Sequence, residues 1–279
     1  MKFGVNTLLW TAAFDKEHVK LLPELKRNGF DGVEIARFSF DGFPAHEIRR
    51  ALESEGLACT FCSALTGDLS LVSAESAVRD RTLEFLKQGI ETAAELGADL
   101  FVGPFCAPVG FLPGRRRQED EWNRCVEALL RLTAALEDHR VTLAIEPLNR
   151  FETYFLNTVA DAVALCRQVG HQRIGILYDT FHANIEEKDF ARSLNACGGF
   201  LKHVHACEND RGTPGSGHVD WGNIFPVLRE LHYDGWLVIE SFGSRIPDIA
   251  RAACIWRDLA PSAEALAFQG LQFLRRTAQ

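Results

Sequence analysis

"IGILYDTFHANIEE" (residues 174–187) opens as a short apolar run, halts on Asp179 and carries His182 three residues further on. A short apolar run bounded this way reads as a buried strand. A carboxylate on its last residue is costly there unless it caps a helix, meets water or has a partner. "NIEE" reads as the start of the following helix. The same layout recurs along the chain. Apolar runs lie at 2–9, 32–36, 58–65, 99–103, 141–147, 174–179, 201–206 and 236–241, with longer amphipathic stretches such as 15–28, 75–96 and 119–139 between them. "RNGFDG" and "ELGADL" place a helix-stopping glycine just ahead of a strand. Strand–helix alternation of this kind predicts parallel βαβ units. Eight of them without linker composition predict a closed (β/α)8 TIM barrel, a single domain over 1–279, with a C-terminal segment (247–279) that is helical throughout and closes the barrel wall. An open doubly wound sheet would call for a G-x-G-x-x-G after the first strand, and none is present.

Composition narrows the function. The 279 residues are 47% hydrophobic, enough for one large core, and carry a formal net charge of −8. An acidic chain with a pI near 5.6 argues against nucleic acid or an anionic membrane as partner, and no apolar run is long enough to span a bilayer. The opening "MKFGVNTLLWTAAF" mimics a secretion signal, but Asn6 and Thr7 interrupt it and it reads better as a first strand. Eight scattered cysteines in apolar context suit a reducing cytoplasm. Cys59 and Cys62 form a C-x-x-C, yet on a strand they face opposite sides and read as core.

In a barrel the chemistry sits at the C-terminal ends of the strands. Those ends carry Glu34, Glu146, Asp179, His205 and Glu240, the last four separated by 33, 26 and 35 residues, one barrel repeat each time. Singly, each could be a helix cap or a solvated loop end. Four in successive repeats should converge on one side of the mouth as an oxygen-rich set with one imidazole, suited to Mn²⁺ or Mg²⁺, with Co²⁺ admitted by the nitrogen donor. A divalent ion there could grip a carbonyl and its neighbouring hydroxyl, and acidify the adjacent C–H. Glu146 and Glu240 could then act as base and acid through a cis-enediolate, taking a proton from one face of a carbon and returning one to the other. Glu152, His182 and Arg211 lie just past these strand ends. Each has an ordinary loop or helix-start reading, but their shared location points to substrate hydroxyl contacts.

"LAIEPLNRFETYFLNT", "YDTFHANIEE", "KHVHACENDRGTPGSGHVDW" and "YDGWLVIESF" resemble the ketose 3-epimerases, the D-tagatose, D-psicose (D-allulose) and L-ribulose group of the xylose-isomerase-like barrels. The resemblance implies a metal-dependent epimerase acting at C3 of a free ketose. It implies Glu146, Asp179, His205 and Glu240 as ligands, usually of Mn²⁺, with Glu146 and Glu240 doubling as the acid/base pair. Glu152, His182 and Arg211 fall on positions that hold the substrate near O1 to O3, and a homodimer or homotetramer is implied. Trp10, Phe38 and Leu65 should shape the distal pocket. Arg115, Arg116 and Arg117 could grip a sugar phosphate, or belong to a solvated loop or subunit contact; the absence of a Gly-rich cradle favours free ketoses. An aldose–ketose or hydroxypyruvate-type isomerase and an inosose-type dehydratase could use the same site. A non-catalytic sugar-binding barrel is the competitor from another class. A nuclease of the endonuclease IV type would need more histidines and a basic face.

Overall fold

The computed structural model describes residues 1–279. Eight parallel strands, β1 (Lys2–Asn6), β2 (Gly32–Ala36), β3 (Ala58–Cys62), β4 (Leu100–Gly103), β5 (Thr142–Ile145), β6 (Ile174–Asp179), β7 (Leu201–His205) and β8 (Trp236–Ile239), form a closed barrel in sequence order. β8 pairs with β1 to complete the ring. The outer ring is α1 (Leu22–Arg27), α2 (Ala45–Glu55), α3 (Ser76–Leu96), α4 (Glu119–His139), α5 (Val159–Val169), the short α6 (Thr180–Glu186), α7 (Phe190–Cys197) and α8 (Trp221–Glu230). The TIM barrel expected from the alternation is therefore present, with every expected strand in place. No helix is long and apolar enough to cross a membrane.

The period of two along each strand sorts the side chains into layers. Outward residues such as Val33, Ile35, Leu143, Ile145, Ile176, Val204, Leu237 and Ile239 join a large core between sheet and helices. Inward residues such as Ala144, Leu177, Trp236 and Val238 form a second, smaller cluster inside the barrel. Cys59 belongs to the outer core and Cys62 to the inner cluster, the opposite-face placement expected of a C-x-x-C on a strand. All eight cysteines are free, and only Cys254 is exposed. Gly97 caps α3 in the left-handed region, at φ 86°, where a side chain would be strained.

The C-terminal stretch departs from expectation. It is not helical throughout but two helices, α9 (Pro247–Ala252) and α10 (Ala263–Thr277), joined by a non-helical connection over 253–262. Cys254 at φ 54° and Pro261, which has no amide hydrogen, interrupt it, and Ser262 starts α10 afresh by accepting from the Ala265 N–H. α10 packs against α8 and β8. α9 instead lies at the mouth, where Ile249 and Ala252 line the cavity.

Candidate metal centre

The inward residues at the top of β6 and β7, and the first residues past β5 and β8, meet at the barrel mouth. Asp179 and His205 are register partners across the β6–β7 pair. Glu146 follows β5 directly, its N–H donating to the Gly103 carbonyl at 3.0 Å, and Glu240 follows β8. The four side chains are buried, and one donor atom from each lies within 4.8 Å of the others. His205 Nδ1 stands 3.8 Å from Glu146 Oε1, 4.0 Å from Asp179 Oδ2 and 3.4 Å from Glu240 Oε1. Donors held about 2.1 Å from one cation lie about 3–4 Å apart, so the spacing fits a single ion better than mutual hydrogen bonds.

Two observations test that fit. Glu146 Oε1 and His205 Nδ1 are both buried without a hydrogen-bond partner, which is costly unless a cation satisfies them. The far side of the imidazole is committed elsewhere: His205 Nε2 lies 2.7 Å from Glu34 Oε1. A carboxylate accepting from one ring nitrogen leaves the lone pair on the other, the arrangement found behind metal-ligating histidines. The donor set is therefore consistent with a divalent metal site.

Asp179 answers both readings of a carboxylate at a strand end. Its Oδ1 accepts from the Phe181 N–H at 2.7 Å and caps α6, while Oδ2 faces the centre. Because the cap starts α6 at Thr180, "NIE" closes that helix and does not begin it, and His182 falls in its first turn.

Glu152, His182 and Arg211 line the same cavity of about 420 Å³ as Glu146 and Glu240, within the range of small-molecule sites. Arg211 Nη1 donates to Asp179 Oδ2 at 2.7 Å and to Glu240 Oε2 at 2.6 Å. Its guanidinium lies over the Phe181 ring at 4.0 Å. Arg211 takes φ 65°, and the Ser241 hydroxyl donates to its carbonyl, which pins the loop that carries it. Glu208, buried beneath that loop, accepts from the Gly215 N–H at 2.6 Å and the Trp221 indole at 2.7 Å.

The charges pull the groups apart. Burial foremost pushes the Glu146 carboxyl above its ordinary range, against the pull of His205 and with help from the charges on Glu240 and Asp179. Burial acts the same way on Glu240, but His205 and Arg211 outweigh it and hold that carboxyl low. Burial also raises Glu152, and brings His182 down to about 3.

Other expected positions divide. Phe38 lines the cavity, whereas Trp10 and Leu65 do not. A 3-10 turn at Thr7–Leu9 aims Leu8 at the cavity and sends Trp10 outward, where its indole donates to Glu264 Oε1 at 2.9 Å. Ser63, Ala64 and Thr66 face the cavity after β3, while Leu65 turns into the outer core. Arg115 forms a bidentate pair with Glu121 and Arg117 one with Asp161, so neither is free to grip a phosphate in the cavity.

The sequence reading noted Glu34 at a strand end without giving it a partner, and passed over His203 and Asn149. Glu34 and His203 are wholly buried inside the barrel, and Glu34 also accepts from Asn6 Nδ2 and Thr60 Oγ1, each at 2.8 Å. The signal was available: an acid inside the apolar "GVEIA", and histidines two apart on one strand face in "LKHVH".

The chain matches the family model described as "Xylose isomerase-like TIM barrel" over residues 22–277. It is 39% identical over 279 residues, spanning 100% of this chain and 97% of the relative, to a protein of Synechocystis sp. named a probable ketose 3-epimerase. It superposes on a solved L-ribulose 3-epimerase with a TM-score of 0.94 at 30% identity, covering 99% of this chain and 94% of that one. A D-allulose 3-epimerase from Methylomonas sp., solved in complex with D-allulose, gives 0.94 at 27% identity, covering 99% and 97%.

Proposed function

The chain belongs to the ketose 3-epimerase family of the xylose isomerase-like TIM barrels, and on that premise we propose that it inverts C3 of a free ketose. The observation that carries the reading is the pair of buried carboxylates, Glu146 and Glu240, set in one four-donor cluster beneath a small-molecule cavity. Glu146, Asp179, His205 and Glu240 would hold the divalent ion, Mn²⁺ in our reading, with Co²⁺ or Mg²⁺ as substitutes. When bound, such an ion polarises a carbonyl and stabilises negative charge on the adjacent oxygens.

The remaining work falls to the chain's own side chains. One of Glu146 and Glu240 removes the C3 proton, and the other returns a proton to the opposite face of the enediolate, which inverts the stereocentre. A single base would hand the proton back to the face it came from. Glu152, His182 and Arg211 orient the C1–C3 end of the sugar. Ile249, Ala252 and α9 cover the distal end and restrict water.

A free sugar suits this cavity better than a phosphorylated one. Its lining includes Glu146, Glu152, Glu240 and Asp248, with Arg211 as the one cationic side chain, already engaged by two carboxylates. D-Allulose, D-fructose, D-tagatose and L-ribulose are the candidate ketoses. The chain works as one barrel domain over 1–279, in a reducing cytoplasm that suits eight free cysteines. A homodimer or homotetramer is supported by Phe111, Leu112 and Phe151, which stand exposed on the loops after β4 and β5.

The test is NMR of the metal-loaded protein with each ketose in D₂O. Deuterium at C3 with formation of the epimer is expected. Exchange at C1 alone would indicate an aldose–ketose isomerase, and binding without exchange a sugar-binding barrel.

A further inference from the structure

Asn149, three residues past Glu146, touches two of the three side chains assigned to the substrate. Its side-chain Nδ2 donates to Glu152 Oε1 at 2.8 Å and lies 2.9 Å from His182 Nδ1, and its backbone N–H donates to that same ring nitrogen at 3.1 Å. A main-chain N–H can only donate. Nδ1 of His182 therefore presents a lone pair, and a ring with a lone pair on Nδ1 is neutral with its single proton on Nε2. An imidazolium or the Nδ1–H tautomer would set a ring hydrogen against two Asn149 donors, the main-chain N–H and the Nδ2, whose orientation is fixed by the Phe151 N–H donating to Oδ1. Little water is at hand to relieve this, since His182 is 3% and Asn149 2% exposed. The Nε2–H tautomer meets one opposing donor only, Arg211 Nη2.

Nε2 is the atom that faces the reaction space. Glu146 Oε1 and Asp179 Oδ2 stand 3.6 and 3.7 Å away, beyond hydrogen-bond reach, while Arg211 Nη2 lies at 3.2 Å. Guanidinium nitrogens accept nothing. The Arg211–His182 contact is therefore a pair of donors side by side, and an oxygen lying between them satisfies both. A ketose carbonyl or hydroxyl oxygen has the lone pairs for this. As the neighbouring carbon loses its proton, charge grows on that oxygen, where two preorganised donors are most effective.

We propose that Asn149 is a positioning residue that holds His182 as the neutral Nε2–H tautomer, so that His182 donates to a substrate oxygen and does not serve as a base. Which oxygen it meets rests on the ketose reading; the tautomer does not.

The experiment is ¹⁵N NMR of histidine-labelled protein loaded with Mg²⁺, a diamagnetic ion, with His182→Gln to assign the signal. In the unsubstituted protein His182 should show a pyrrole-type Nε2 and a pyridine-type Nδ1 near neutral pH. Asn149→Asp replaces the side-chain donor 2.9 Å from Nδ1 by a charged acceptor, which outcompetes the weaker main-chain N–H at 3.1 Å and should draw the proton to Nδ1. Turnover, as kcat, should then fall about 100-fold, with KM changing far less. Asn149→Ala keeps the main-chain donor, and should keep the tautomer and lose less. An Nδ1–H or doubly protonated His182 in the unsubstituted protein would overturn the proposal, as would an Asn149→Asp variant with unchanged tautomer and kcat. The expected tautomer in a protein that exchanges no C3 hydrogen would uphold the positioning role and sink the ketose reading instead.

Discussion

Glu34 Oε1 lies 2.7 Å from His205 Nε2, inside the barrel and directly behind the four-donor cluster. Burial alone would raise the Glu34 carboxyl, but His205 and His203 outweigh it and hold it well below its usual range. A charged Glu34 keeps the His205 proton on Nε2 and its Nδ1 lone pair turned towards Glu146 and Glu240. Glu34→Gln removes that charge with little change of shape. Metal affinity should fall about 10–100-fold, read by calorimetric titration of Mn²⁺ into the metal-free protein. An unchanged affinity with native circular dichroism would show that Glu34 acts only as packing.

Glu146→Gln and Glu240→Gln should each lower turnover by about 10³ or more, measured at saturating metal so that lost affinity is not mistaken for lost proton transfer. Glu152→Gln should act mainly on KM, because Glu152 is not one of the four cluster donors and its side-chain hydrogen bond is to Asn149, outside the cluster. Full activity in either of the first two variants would rule out a mechanism with two carboxylates.

Removing the ion should destabilise the fold as well as stop turnover. Three carboxylates and an imidazole within 4.8 Å repel or remain unsatisfied without a cation. Metal at 100 times its Kd should add about 2.7 kcal/mol to stability, read as a rise in Tm on titrating Mn²⁺ into chelator-treated protein. Ca²⁺ favours longer bonds and more ligands, and should restore less of it.

The barrel and its cluster were legible because both are periodic. Strand–helix alternation located all eight strands, and reading only their ends isolated Glu146, Asp179, His205 and Glu240, which the fold brings together. What escaped depends on contacts between distant loops. Asn149 meets His182 across 33 residues, and Glu34 meets His205 across 171, and no local pattern records either pairing. Trp10 and Leu65 were misplaced for a related reason. Past the end of a strand the alternation of faces lapses, and a short turn decides which side chain enters the cavity.

Away from the cluster, a buried carboxylate makes the stability depend on pH. Glu121 joins the loop after β4 to the loop after β5: it accepts from Arg115 at 2.8 and 3.0 Å, from the Tyr154 hydroxyl at 2.8 Å and from the Gln118 N–H at 2.6 Å. The Arg115 hydrogen bonds foremost, against burial, bring its carboxyl down to about 2. A folded value below the unfolded one means that the unfolded chain binds the proton first as pH drops. The stabilisation is therefore complete above the ordinary glutamate value near 4.5 and is lost as pH falls towards 2. Arg115 is 43% exposed, so solvent screening keeps the contribution small. Glu121→Gln should accordingly lower Tm at pH 7, with the difference from the unsubstituted protein closing below pH 4. A gap that stays constant down to acid pH would mean that shape and neutral hydrogen bonds, not the Arg115–Glu121 charge pair, join the two loops.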